Sequence, residues 1–169
     1  MVEIRNADVA RDLEVVKALW LEYLSWGNEE LEARFGFRFP IEKALEDDLA
    51  SIAKFQPPGG RLLLAVEGDE AVGIACLRRM SPGIAEIKRM FVRPAQRGAG
   101  LGGALLDHLI TEAKASGYQR IRLDSARFME TAHACIALGA SRTLIPTPRA
   151  RSPTSSSRTG SSWSGSSTE

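Results

Sequence analysis

The sequence predicts an α/β protein with a mixed, mostly antiparallel sheet flanked by helices. Three observations carry this. Residues 62–92 read as successive strands joined by tight turns. The stretch from Glu86 to Ser116 reads as strand, glycine-rich turn and amphipathic helix. Arg120-Ile121-Arg122-Leu123-Asp124 follows as a further strand, which a helical crossover should lay parallel to the strand at Glu86.

In chain order, Val2-Glu3-Ile4-Arg5 forms a short first strand, and Asp8 can cap the helix that follows. In that helix Leu13, Val16, Leu19, Trp20 and Tyr23 make an apolar stripe. Glu29 to Phe35 reads as a short second helix. Phe35-Gly36-Phe37-Arg38-Phe39 is an aromatic loop suited to core packing or a lid, with substrate contact as the alternative. Pro40 starts another helix, where Ile41, Leu45, Leu49 and Ile52 share a face, and Pro57-Pro58-Gly59-Gly60 ends it.

Leu62 to Val66 is a buried strand, Glu67 to Glu70 a tight turn, and Ala71 to Leu77 the antiparallel partner, with Gly73 at a bulge or close approach. Ser81-Pro82-Gly83 turns into the fourth strand. There Ile87, Arg89 and Phe91 alternate with Lys88, Met90 and Val92 until Pro94, which has no N–H to donate to a ladder. Leu101, Leu105, Leu106, Leu109, Ile110 and Ala113 give the next helix a broad apolar face, and Gly117 stops it.

Composition narrows the function. A chain of 169 residues has room for one domain with a sizeable core. A net charge of +1 gives no sign of a nucleic-acid or anionic-membrane surface. Cys76 and Cys135 are too few for a disulfide scaffold and fit a reducing compartment. With no membrane-length apolar run and no basic-then-apolar leader at Met1, a soluble cytoplasmic protein is expected. Nothing suggests a metal site.

Chemistry concentrates at Arg97-Gly98-Ala99-Gly100-Leu101-Gly102-Gly103. A glycine-rich turn opening a helix leaves several N–H groups pointing at one spot, where the helix dipole adds partial positive charge. Such a turn takes phosphate, and Gly98, Gly100 and Gly102 would let a pyrophosphate approach the backbone. The plain alternative is a tight connection. Gly98-x-Gly100-x-x-Gly103 also spells the dinucleotide fingerprint, with Asp124 as ribose-binding acid. Against that stand a half-polar strand before the glycines and a remainder too short for further strand–helix units.

The order of elements and the run Arg97 to Gly102 resemble the GNAT superfamily of acyl-CoA-dependent N-acyltransferases, whose signature R/Q-x-x-G-x-G/A is matched in full. The resemblance runs from about Val2 to about Ala134. It implies a splayed central pair of strands, with acetyl-CoA as co-substrate. The backbone of Arg97, Gly98, Ala99, Gly100, Leu101 and Gly102 would hold the pyrophosphate, and main-chain groups of Met90, Phe91 and Val92 the pantetheine arm. The implied activity is acetyl transfer to a primary amine of a small molecule, amino acid or peptide; a non-catalytic acyl-CoA-binding domain is the alternative. The acceptor would be met by variable segments such as Trp26 to Phe39. No nucleic-acid or membrane partner is implied, and a homodimer is compatible with the resemblance.

Direct attack needs a base for the amine and an acid for the leaving thiolate. Glu86 is the candidate base, with an exposed strand-end glutamate as the plain alternative. Lys88 and Arg89 read equally as surface or cofactor-phosphate contacts and as catalytic groups, His108 reads as structural, and His133 has no assigned role. The acid has no candidate. The family motif M-x-x-A-x-x-L-Y is followed through Met129, Ala132, His133 and Ala134, after which Cys135-Ile136 replaces Leu-Tyr.

The expected domain covers residues 1–144, and residues 145–169 form a Ser/Thr/Arg/Pro/Gly-rich tail unable to bury a core. A shifted reading frame, in the gene or in its recorded sequence, is the expected origin of this composition, with a natural linker-like tail as the plain alternative. Codons can be chosen for residues 135–165 whose shifted frame begins L-Y-R, passes through S-Y-P-A-S-P-I-P-H-E-F and ends H-W-V-F-M-E, which resembles a GNAT ending. Sequencing the gene across codons 130–169, with an intact mass of the protein, should reveal a frame change near Ala134. An in-frame gene and a matching mass would refute it.

Overall fold

The computed structural model describes residues 1–123. Their elements run β1 (Val2–Asn6), α1 (Val9–Phe35), α2 (Ile41–Ala50), β2 (Arg61–Glu67), β3 (Glu70–Ser81), β4 (Ile84–Val92), α3 (Leu101–Ala115) and β5 (Arg120–Leu123). The expected domain boundary, the tail, Asp124, His133 and Cys135 lie outside the described residues. No described helix is long and apolar enough to cross a membrane.

The five strands lie side by side in chain order. Neighbours from β1 to β4 are antiparallel, and only β5 runs parallel to its partner β4. Short turns force the antiparallel β2–β3 and β3–β4 pairs, α1 and α2 lie between the antiparallel β1 and β2, and the parallel pair needs α3 as its crossover. A doubly wound sheet would be parallel throughout, so the dinucleotide-binding alternative fails on topology.

Each face of the sheet carries its own core. Leu101, Leu105, Leu106, Leu109, Ile110 and Ala113 of α3 pack on Leu63, Ala75, Leu77, Ala85 and Ile87. On the other face Val16, Leu19, Trp20 and Leu24 of α1, with Leu45 of α2 and Phe55, pack on Leu62, Leu64, Ile74, Cys76 and Phe91. Trp20 and Leu105 are fully buried, and each such side chain contributes about 2 kcal/mol of hydrophobic free energy.

Asp8 caps α1 as expected, accepting from the Ala10 amide at 3.0 Å. The helix then continues through the point where a second one was expected to start, so Glu29 to Phe35 is its last part. Gly27 and Asn28 look like a stop signal in sequence, but both are buried. Asn28 donates from Nδ2 to the Phe39 carbonyl at 3.1 Å and accepts from the Phe39 amide at 2.9 Å. These bonds tie the aromatic loop to the helix and leave no need for a cap there. The helix ends at Gly36, at φ +64°, whose N–H donates to the Glu32 carbonyl at 2.9 Å.

Two other expectations are corrected. Leu13 is exposed and lies outside the α1 stripe. Phe35 and Phe37 also face solvent, and only Phe39 of the aromatic loop packs against the core. Gly73 does sit at a bulge, opposite Ala65, where a Cβ would come within 3.2 Å of the Phe91 carbonyl and 3.3 Å of Leu105.

The α1 entrance is fastened by charge. Arg5 of β1 holds buried Asp12 through two bonds of 2.6 and 3.0 Å, Arg11 adds another at 3.1 Å, and the Asp8 amide donates to the same carboxylate at 2.8 Å. The bonds from Arg5 and then Arg11 hold the Asp12 carboxyl well below the usual carboxylate range. A depressed carboxyl stabilises the fold above its unfolded value, near 3.9, and loses that contribution as pH falls toward its folded value. Asp12→Asn should therefore cost on the order of 2 kcal/mol at pH 7. In urea unfolding, the gap between wild type and variant should shrink steadily below about pH 4.

Candidate active site

The site is organised by β4. Its ladder with β3 pairs Ile74 with Phe91 but Cys76 with Lys88, so β4 carries one residue more than its partner over this interval. The extra residue is accommodated at Arg89, at φ +52°, a region costly for a side chain. The expected alternation holds only up to this bulge. Beyond it Met90 and Val92 join Ile87 against α3, while Phe91 turns to α1.

Arg89 thus points to the α1/α2 face, where its Nε donates to Asp48 of α2 at 2.6 Å and its guanidinium lies 5.6 Å from the Tyr23 ring. Its side chain is therefore engaged with Asp48 and Tyr23 on this face. Sequence reasoning gave Asp48 no role, because only the fold brings α2 over the bulge. Lys54 extends the group, its Nζ 4.0 Å from Asp48 and 2.7 Å from the Ser51 hydroxyl. Burial, with the nearby charges of Arg78, Lys88 and Arg89, presses its ammonium below the usual lysine range.

On the far edge of β4, β5 pairs only with Ile84 to Ile87. Among the described residues, Lys88 to Val92 have no strand neighbour on that side. The expected pantetheine-binding positions Met90, Phe91 and Val92 therefore lie along a stretch of β4 that has no described strand neighbour on that side and leads into the glycine turn.

At the turn, Pro94 starts a short 3₁₀ segment, Gly98 and Gly100 take φ of +86° and +79°, and Gly100 stands at the cap of α3. The Arg97 amide is used internally, donating to the Pro94 carbonyl at 3.2 Å. The amides of Gly98, Ala99, Gly100, Leu101 and Gly102 make no backbone bond among the described residues. No atom lies within 4 Å of a Cβ built at Gly98 or Gly100. Among the described residues, no side chain stands over Gly98 or Gly100.

The Arg97 side chain folds away from the turn. Its Nε donates to the Val92 carbonyl at 3.0 Å, and its guanidinium lies 5.0 Å from the Trp26 ring and 5.7 Å from the Phe91 ring. One main-chain acceptor expected for the pantetheine arm is thus occupied by Arg97.

Glu86 is 4% exposed, so the reading of an exposed strand-end glutamate is corrected. Both Nε and Nη2 of Arg78 reach its Oε2 at 2.6 Å, leaving Oε1 outside that ion pair. Glu86 lies on the same face as Arg89, which makes one charged surface under α2. His108 is exposed on α3, apart from both the glycine turn and Glu86.

A mostly antiparallel five-stranded sheet with α3 crossing between β4 and β5, among the described residues, is the mixed α/β scaffold to be compared with known folds. The model of the GNAT acetyltransferase family matches residues 14–140. An uncharacterized N-acetyltransferase of Schizosaccharomyces pombe is 32% identical over 127 residues, 73% of this chain and 72% of that protein. An IAA acetyltransferase of Azospirillum brasilense is 34% identical over 104 residues, 61% of this chain and 66% of that protein, so the match spans just under two thirds of its length. The fold is similar to that of the PaiA N-acetyltransferase of Thermoplasma acidophilum, solved in complex with coenzyme A, with a TM-score of 0.65, 19% identity and coverage of 82% and 88% of the two chains. The chain belongs to the GNAT acetyltransferase family.

Cys76 lies under this charged surface and is fully buried. Burial pushes its thiol up to about 12, and only the thiolate reacts with alkylating agents. Peptide mapping after iodoacetamide treatment should find Cys76 unmodified in the native protein at pH 8 and labelled once urea unfolds it.

Proposed function

We propose that the protein transfers an acetyl group from acetyl-CoA to a primary amine of a small molecule, amino acid or peptide. One observation carries this reading: the unused amides from Gly98 to Gly102 continue directly from the open β4 edge. A pyrophosphate followed by an extended, amide-containing arm needs donors at a point and then a strand edge to pair with. Acetyl-CoA has that shape and chemistry, and the family match together with the CoA complex of the Thermoplasma relative supports it.

The reaction makes one C–N bond and breaks one C–S bond. The neutral amine attacks the thioester carbonyl, and its surplus proton leaves toward Glu86, directly or through water. The oxyanion needs a preorganised donor, which the interrupted ladder at Arg89 and Met90 offers as a free strand amide. Collapse expels the CoA thiolate, which takes up a proton. Among the described residues no acid is assigned to that step, and a non-catalytic acyl-CoA-binding domain is the second reading.

Calorimetric titration with acetyl-CoA should give saturable heat, and free thiol should appear when an amine panel is added. Heat without thiol release across the panel favours the binding domain; no heat from a well-folded sample refutes both. Gly100→Val should abolish the heat, because its side chain would stand in the space now open beside the amides. Its φ of +79° adds about 1 kcal/mol of strain, too little by itself to unfold the domain.

A further inference from the structure

Arg78, Glu86 and Arg122 form a row across three adjacent strands: Arg78 of β3 pairs with Glu86 of β4, and Glu86 with Arg122 of β5. Neighbouring strands are about 4.8 Å apart, so both arginines flank the one carboxylate. Glu86 bonds only the first of them, accepting from Arg78 at 2.6 Å. Among the described residues the half-buried Arg122 guanidinium has no carboxylate partner; its Nη1 reaches the Met80 sulfur at 3.7 Å, and its buried Nε has no hydrogen-bond partner. A guanidinium donor buried without an acceptor is costly, and its planar fork is matched by a carboxylate.

The imbalance extends under α2. Arg89 and Lys54 share Asp48, so Lys54, Arg78, Arg89 and Arg122 face two described carboxylates, Asp48 and Glu86. The Lys54 ammonium is lowered chiefly by burial, with the charges of Arg78, Lys88 and Arg89 adding to it. Tyr23 and Phe91 border the group with an aromatic wall, their rings 6.1 Å apart.

We propose that this face is an anionic subsite in which Arg122, supported by Arg78, Arg89 and Lys54, binds the carboxylate of the acceptor, so that the preferred amine is an amino acid and not a simple amine. This rests on the acetyltransferase reading, with Glu86 beside the subsite to receive the amine's proton. It narrows the acceptor class through Arg122, to which sequence reasoning gave no role.

Equilibrium binding of phenylalanine, phenylalaninamide and phenethylamine to the full chain tests this without requiring turnover. Phenylalanine should bind at least about tenfold more tightly than the other two, the loss expected for one charge-assisted arginine contact. Arg122→Gln should erase that preference and leave the two uncharged-end probes unchanged, while Arg122→Lys should retain part of it. Thermal melts of both variants separate loss of the subsite from loss of the fold. Equal binding of the three probes, no binding of any, or a preference that survives Arg122→Gln with the melt intact would overturn the proposal. Preferred phenylalanine binding with no thiol release from acetyl-CoA would leave the subsite standing and count against the catalytic reading.

Discussion

The extra residue in β4 is the constraint on which the site depends. A left-handed backbone at Arg89 costs about 1–2 kcal/mol for a side-chain-bearing residue, and the bond from Arg89 to Asp48 offsets it by fastening the bulge to α2. The insertion puts an odd residue into a period of two, so every side chain after it changes face. Phe91 consequently reaches Tyr23 and Trp26 of α1, and Met90 and Val92 reach the α3 core. The same interruption disturbs the hydrogen-bond ladder just past the last described pair of β4 with β5.

Helix α3 follows β4 by a short turn, because β5 must lie parallel beside it. The crossover sets the helix N-terminus at the end of the open edge, so the anion donors and the strand edge form one continuous surface. Arg97 links them physically, its backbone in the turn and its side chain against Trp26, Phe91 and the Val92 carbonyl. On the opposite side of that edge α1 and α2 cover the sheet, and there the charged groups collect. Ligand phosphate and acceptor amine would thus approach β4 from different directions, as transfer between two substrates requires.

Much of the fold was legible in the sequence because its signals are local. The Asp8 cap, the turns at Gly68 and Gly83, the bulge at Gly73 and the apolar face of α3 each rest on a few neighbouring residues. The misreadings share a cause in tertiary contact. Gly27-Asn28 resembles a helix end until Asn28 is seen bonded to Phe39 eleven residues on. The β4 alternation looks regular until its register against β3 is known.

The sequence by itself determined the order of elements, the antiparallel meander and the glycine turn that opens α3, since hydrophobic period, glycine conformation and proline's missing donor act within a few residues. Only the tertiary structure decided which side chains share a face and which charges meet. The positions of Asp48, Arg78, Glu86, Arg89 and Arg122 on one surface depend on a single inserted residue and on strands paired across long stretches of chain. Charge and burial are properties of that assembled surface, so no window of sequence contains them.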